Sequence, residues 1–294
     1  MPLFAIPSWL MPHFYSGKKF KDLSPAEILD LKIRLSGFKD NQPDVSVVIP
    51  AWNEENNLFR TLSSLASNNT QRKVEIIVIN NNSTDGTQHV LDALDVKSFF
   101  QNRQGISHAR QLGLENAAGK YHLCADSDTF YPPNWIDQMV SPLQVNKGYV
   151  GVYGRYSFIP TLGQSRLLLV AYEAITGLLI NLRRYRREHL NVLGFNMGFI
   201  TEIGLSNGGF EVNQVRKFEN AKGTNEFVEE SEDGRMALNL KKTGKLYLAK
   251  STEARVYTSS RRIDAEGGLF QAFKSRFLLH FSNLGEYIKG PEVN

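Results

Sequence analysis

The chain has 294 residues, of which 41% are apolar, enough to build a sizeable core in one large domain or two small ones, so a globular protein is expected. Its formal net charge of +4 is only weak evidence for an anionic partner and excludes a dedicated nucleic-acid binder, so no nucleic acid is expected as a partner. A single cysteine, Cys124, excludes an intrachain disulfide framework and a cysteine-based zinc site, and it fits a reducing, cytoplasmic compartment.

In chain order, the first run, "MPLFAIPSWLMPHFY", is apolar, aromatic and broken by prolines. Without a basic n-region it reads as an ordered arm or a surface-docking segment rather than a signal peptide. A first helix is predicted from Pro25 to about Gly37, with Ser24 as cap and Glu27 completing a capping box. From Asp44 to Ala125, short β-type runs at 45–49, 74–79 and 121–125 alternate with segments of helical spacing, such as Leu58, Leu62, Leu65 and Ala66. This alternation predicts an α/β fold with a mainly parallel sheet flanked by helices. Ligands of such sheets bind beyond the carboxyl ends of the strands, so "PAWNEE", "NNNSTDGT" and "DSDTFYPP" are expected along one edge. Beyond Tyr131 the pattern predicts a strand at 148–154, a helix from about Gly163 to Arg187, and a helix at 231–244 closed by Gly244. No stretch reaches the ~18 uncharged apolar residues of a spanning helix. The segment 167–187 is interrupted by Glu173 and ends in Arg183, Arg184, Arg186 and Arg187. It reads either as a half-buried amphipathic helix or as one that docks on an anionic membrane surface.

Two common phosphate-binding loops fail. No Gly-x-Gly-x-x-Gly follows the first strand, and "GLENAAGKY" misplaces its second glycine and puts Tyr121 where a P-loop has Ser or Thr. What remains is Asp126-Ser127-Asp128, two acids one residue apart at the end of an apolar run, which repel unless water, a proton or a cation intervenes. Hard oxygens at that position suit Mg²⁺ or Mn²⁺, whose remaining ligands come from water and substrate phosphate. Such a tripeptide also serves as a turn or helix cap; its place after a strand of a parallel series favours a ligand site.

Six pieces in order, "VSVVIPAWNEENNL", "VEIIVINNNSTDGT", "GISHARQLGLENAAGKYHLCADSDTFYPPNWI", "NMGFIT", "NGGFE" and "ESEDGRMALNL", make the stretch from about Asp44 to Arg262 resemble the inverting, family 2 nucleotide-sugar glycosyltransferases of the GT-A fold. The resemblance implies an N-terminal extension at 1–43, a GT-A domain at 44–262 with its nucleotide-binding half at 44–131 and its acceptor-side half at 132–262, and an amphipathic tail at 263–294. It implies that Pro50, Ala51 and Glu54 form one wall for the nucleobase and ribose and Asn81 with Asp85 the other, with a UDP-sugar favoured. An amide and a carboxylate suit such groups chemically. The same resemblance places Arg103 and Arg110 near the diphosphate or under the acid loop, Asp126 and Ser127 against the donor, and Mg²⁺ or Mn²⁺ on Asp126 and Asp128. It makes Asp233 the base that activates an acceptor hydroxyl by direct, inverting displacement. Glu232, Gly208 and Gly209 fall on the acceptor side, where Trp135 either stacks on a sugar or belongs to the core. Arg261 and Arg262 would close over the diphosphate.

The implied partners are a nucleotide-sugar donor and a glycan or lipid-linked acceptor of surface polysaccharide or glycoconjugate synthesis. The implied location is cytoplasmic, with peripheral contact to an anionic membrane. A sugar-phosphate nucleotidyltransferase and a noncatalytic glycan-binding protein of the same fold are the alternatives; the acidic "PAWNEENN" speaks against the first and the intact acids at 126, 128 and 233 against the second.

Overall fold

A computed structural model describes residues 6–145, 147–160, 166–184, 187–211 and 231–260. The chain opens with a 3-10 arm, Ser8–Gly17, and then α1, Pro25–Ser36, which starts as its sequence requires: Ser24 Oγ accepts from Glu27 N, and the Glu27 carboxylate accepts from Ser24 N. The parallel series follows as β1 (Val45–Ala51), α2 (Leu58–Leu65), β2 (Val74–Asn80), α3 (Thr87–Ala93), β3 (Lys97–Phe100), α4 (Ile106–Glu115) and β4 (Tyr121–Cys124). The second half adds β5 (Thr129–Phe130), α5 (Trp135–Gln144), β6 (Tyr149–Gly154), β7 (Tyr156–Ile159), α6 (Arg166–Arg183), β8 (Met197–Ile200), α7 (Thr201–Ser206), α8 (Glu232–Thr243), β9 (Lys245–Ala249) and β10 (Val256–Ser259).

The main sheet has the order β3-β2-β1-β4-β8-β6-β9, with β8 running against both of its neighbours. Strands β1 and β2 are buried along their whole length, because helices cover both faces. With the two-residue period of a strand, Val45, Val47 and Ile49 pack with Leu58 and Leu62 on one face, while Val48 joins Ile77, Ile79 and Ala109 on the other. A three-stranded sheet, β5-β10-β7, stands beside the acid loop. At the other end of the strands, the buried Glu75 accepts from Ser46 Oγ at 2.6 Å and Ala118 N at 2.8 Å and pairs with Lys97 at 2.6 Å. That clamp fixes the register of β1, β2 and β3.

Differences from the sequence reading have local causes. The edge strand β3 carries no strand signal in the sequence, since "KSFF" has no alternation and its burial is partial. The predicted helix from about Gly163 to Arg187 is α6; residues 161–165, 185 and 186 lie outside the described residues. Among the described residues no helix is long and apolar enough to cross a membrane.

Candidate active site

The acid loop leaves β4 pinned by four hydrogen bonds. Asp126 N donates to Tyr131 Oη at 2.9 Å, and that hydroxyl donates to Phe195 O at 3.0 Å. From the α2 side, Thr61 Oγ1 donates to Ser127 O at 2.9 Å, and Tyr131 N donates to Ser64 Oγ at 3.1 Å. Ser127 is buried, whereas Asp126 and Asp128 are partly exposed. The two acids serve different neighbours: Asp126 Oδ1 pairs with Arg110 Nη2 at 2.7 Å, while Asp128 lines a cleft of about 120 Å³ beside Asn57, which precedes α2, and Arg60 and Thr61 within it. Their mutual repulsion is relieved on one side by a fixed cation.

Arg110, on α4, is 2% exposed and lies over the Phe210 ring, 5.9 Å from its centroid. Its Nε is 3.8 Å from Glu232 Oε1. Burial opposes the charge on Arg110, but Asp126, with Glu232 and Asp233, outweighs it and raises the guanidinium above its ordinary value. Gly194 packs directly on this guanidinium, so a Cβ there would collide with Nη2. The amide of Gly194 in turn donates to Asp233 Oδ2 at 2.9 Å, while Gly234 N donates to Asp233 Oδ1 at 2.8 Å. Asp233 is thereby held at the first turn of α8, whose cap is Ser231 Oγ. Glu232, beside it, has its carboxyl raised above the ordinary 4.5 by burial and by the charge of Asp233, against the pull of Arg110. Acids at 126, 232 and 233 therefore converge on one buried cation from opposite halves of the chain.

Of the residues expected to form the first nucleotide wall, Pro50 and Ala51 lie inside β1 and are buried, whereas Glu54 stands in the loop that follows. Glu54 accepts from Asn57 Nδ2 at 2.6 Å. The structure gives Asn81 a task other than offering its amide to a base: both of its N–H donors go to backbone carbonyls, Gln101 O at 3.2 Å and Arg103 O at 2.7 Å, and its Oδ1 accepts from Gly105 N at 2.8 Å. It shapes the loop that carries the exposed Arg103. Asp85 accepts from Thr87 N and Oγ1 at the start of α3 and from Glu55 N at 3.1 Å, tying together the loops that follow β1 and β2.

Trp135 belongs to the core: it is fully buried and its Nε1 donates to Asn196 Oδ1 at 2.9 Å, which leaves no ring face for a sugar. Gly208 and Gly209, at φ +94° and +58°, turn the chain out of α7, and Gly209 leaves room for Gln111, whose Oε1 accepts from Phe210 N at 2.8 Å. Arg261 and Arg262 lie outside the described residues. Sequence reading missed Tyr131, Thr61 and Gly194; each acts through a hydroxyl or backbone amide that meets its partner only in three dimensions. A wider hollow of about 370 Å³, lined by Asp137, Tyr149, Tyr247 and Lys250, holds none of these groups.

Among the described residues no three His, Cys, Asp or Glu side chains cluster as metal ligands. Two partly exposed carboxylates on a rigid loop fit a hard cation that takes its other ligands from phosphate and water.

The profile of the family described as Glycosyl transferase family 2 matches residues 46–203, more than half of the chain. A glycosyltransferase of Haemophilus influenzae is 34% identical over 123 residues, covering 40% of this chain and 38% of its own length. The chain thus spans well under two thirds of the length of the first curated relatives it matches. Among solved structures, the mannosyltransferase PcManGT of Pyrobaculum calidifontis, in complex with GDP-Man and Mn²⁺, aligns with TM-score 0.55 at 16% identity, over 92% of this chain and 74% of its own. The glucosyl-3-phosphoglycerate synthase of Mycobacterium tuberculosis, in complex with Mn²⁺, UDP-Glc and phosphoglyceric acid, aligns with TM-score 0.51 at 19% identity, over 92% and 86%. At these identities the structural likeness establishes the GT-A fold. Together with the sequence match over residues 46–203 and the acid loop at its strand end, it leads to one assignment: the chain belongs to glycosyl transferase family 2.

Proposed function

We propose that this protein is a metal-dependent, inverting glycosyltransferase that moves a sugar from a nucleotide-sugar donor, UDP-sugar favoured, to an acceptor hydroxyl. The observation that carries the reading is the convergence of Asp126, Glu232 and Asp233 on the buried Arg110. A donor-side acid and the two acceptor-side acids thereby meet across the end of the sheet. Asp128, with Asp126, would hold Mg²⁺ or Mn²⁺, which when bound would supply electrostatic stabilisation to the departing diphosphate. The Mn²⁺ complexes of the two structural neighbours support this. Arg110 holds the acid loop to α8, so that donor and base keep a fixed separation. Asp233, oriented by the Gly194 and Gly234 amides, would take the proton of the acceptor hydroxyl as it attacks the anomeric carbon from the face opposite the leaving group. A single displacement of this kind inverts the centre.

A glycan or lipid-linked acceptor is part of the proposal, as is a peripheral location on an anionic membrane. Leu167, Leu178 and Leu182 are exposed along α6, which ends at Arg183 and Arg184.

Thermal shift with UDP-glucose and GDP-mannose, with and without Mn²⁺, tests the donor assignment, because a ligand selective for the native form raises its melting point. Asp128→Ala should lose the metal-dependent shift. Asp233→Asn should keep it and lower turnover by about 10² to 10⁴. Donor binding indifferent both to EDTA and to Asp128 would overturn the reading.

A further inference from the structure

The family match begins at residue 46, yet residues well before it reach the cleft that holds Asp128. The 3-10 arm Ser8–Gly17 lies across α2 and the small sheet: Trp9 meets Tyr257 of β10 edge-on at 5.7 Å, and Phe14 meets Phe130 of β5 at 5.2 Å. It is anchored as a built part of the fold. Leu10 is fully buried, and His13 Nδ1 shares a hydrogen bond of 2.9 Å with Ser63 Oγ. Arg34 of α1 donates to Ser63 O at 3.1 Å and to Tyr15 Oη at 3.3 Å. Just past the arm, Lys18 O accepts from Arg60 Nη2 at 2.8 Å, while the Arg60 guanidinium rests over the Phe59 ring, 5.3 Å from its centroid. The N-terminal extension therefore does two things at this cleft: it supplies Phe14 and it fixes the direction of Arg60.

The cleft so built has a carboxylate at Asp128, a guanidinium at Arg60, and apolar walls from Phe14, Phe130, Ile159 and Pro160. A neutral apolar ligand would engage neither charged group, and a simple anion would face Asp128. A phosphate that arrives with a divalent cation suits both, the cation toward the carboxylate and a phosphate oxygen toward the guanidinium. Aromatic and prolyl walls beside such a pair suit the C–H face of a sugar ring. Resting on the nucleotide-sugar reading above, we propose that the N-terminal extension completes the donor site. Arg60 pairs with a phosphate oxygen of the glycosyl diphosphate, and Phe14 forms the wall against the transferred sugar.

The test uses the full chain and three probes with Mn²⁺: inorganic pyrophosphate, a nucleoside diphosphate (UDP or GDP) and the matching sugar nucleotide (UDP-glucose or GDP-mannose), measured by titration calorimetry. Losing a charge-assisted phosphate contact should cost Arg60→Gln about tenfold or more in affinity for pyrophosphate and for the sugar nucleotide. Phe14→Ala should bind pyrophosphate and the nucleoside diphosphate as wild type does. For the sugar nucleotide it should bind several-fold more weakly, so that the two variants separate phosphate from sugar recognition. Arg60→Lys keeps the charge and should recover part of the pyrophosphate affinity; equal losses in Lys and Gln variants would point to packing and overturn the phosphate assignment. Variants of native melting temperature that bind all three probes like wild type would overturn the inference while leaving the donor reading intact. Wild-type protein that binds neither sugar nucleotide would remove both, and that result is read before any variant is made.

Discussion

Arg110 is a full charge inside the protein, acceptable only because carboxylates surround it, so its removal strands Asp126 and Glu232 rather than merely deleting a contact. Arg110→Ala is expected to cost about 3–5 kcal/mol of stability, measured by urea unfolding, and Arg110→Lys should restore only part of that, because an ammonium lacks the fork that spans both acids. A loss below about 1 kcal/mol for the alanine variant would mean that the cluster is solvated and the two acids independent of Arg110. Glu232 gives a second prediction at this scale. Its carboxyl is raised above 4.5 by burial and by Asp233, so the folded protein holds a proton there that the unfolded chain has already lost. Stability contributed by that proton is present below pH 4.5 and is lost as pH rises through the elevated folded value. Glu232→Gln should flatten this part of the pH–stability curve relative to wild type; identical slopes would show that Glu232 is not the group responsible. A carboxamide cannot act as a general base, so turnover also bears on roles: if Glu232→Gln loses about 10² to 10⁴ in turnover while Asp233→Asn stays active, Glu232 rather than Asp233 takes the proton.

At the scale of elements, the arm shows what a linear reading reaches and what it does not. Capping at Ser24, the long apolar runs of β1 and β2, and the strand end at Asp126 are local patterns, and each is found where its residues imply. The tasks of Asn81 and Trp135 were not local. Whether an amide reads a base or holds a loop depends on Gln101 and Arg103, and whether an indole stacks on sugar depends on Asn196. Docking of the arm likewise needed Ser63 and Arg34, far along the chain. This docking carries its own pH dependence. Burial first, and then the nearby Arg34, lower the His13 imidazole from 6.5 to about 4. Between those values a released arm binds a proton that the docked arm excludes. Docking is therefore strongest above pH 6.5 and weakens as pH falls toward 4. Hydrogen exchange at residues 8–17 should lose protection over that range, earlier than β1 does, and His13→Gln should remove most of the change while keeping a side chain able to bond Ser63. Protection of the arm that is constant from pH 7 to 4 would rule out His13 as its latch.

For the molecule as a whole, the question is which surface meets the acceptor. Along α6, Leu167, Ala171, Ala174, Leu178 and Leu182 recur at spacings of three and four residues and are all exposed, forming one apolar stripe. The opposite side of the helix is tied down by Glu173, which pairs with Arg166 at 2.6 Å and accepts from Phe158 N at 2.8 Å. The stripe therefore faces outward by construction. It ends at Arg183, Arg184 and Arg187, on the approach to the 3-10 turn Glu188–Asn191 that precedes Gly194 and the Asp233 carboxylate. Apolar side chains beside a basic cluster match the interface of a bilayer with anionic headgroups. A lipid-linked acceptor would then arrive beside the proposed base, Asp233, instead of diffusing to it. Cosedimentation with vesicles of phosphatidylcholine and phosphatidylserine should exceed that with phosphatidylcholine alone and should fall as salt rises toward ~0.5 M, since screening shortens the reach of surface charge. The double substitution Leu178→Asp with Leu182→Asp, both in exposed positions, should lower vesicle binding without lowering the melting temperature. Binding that ignores lipid charge, salt and both leucines would leave the acceptor a soluble molecule and the stripe a surface for another partner.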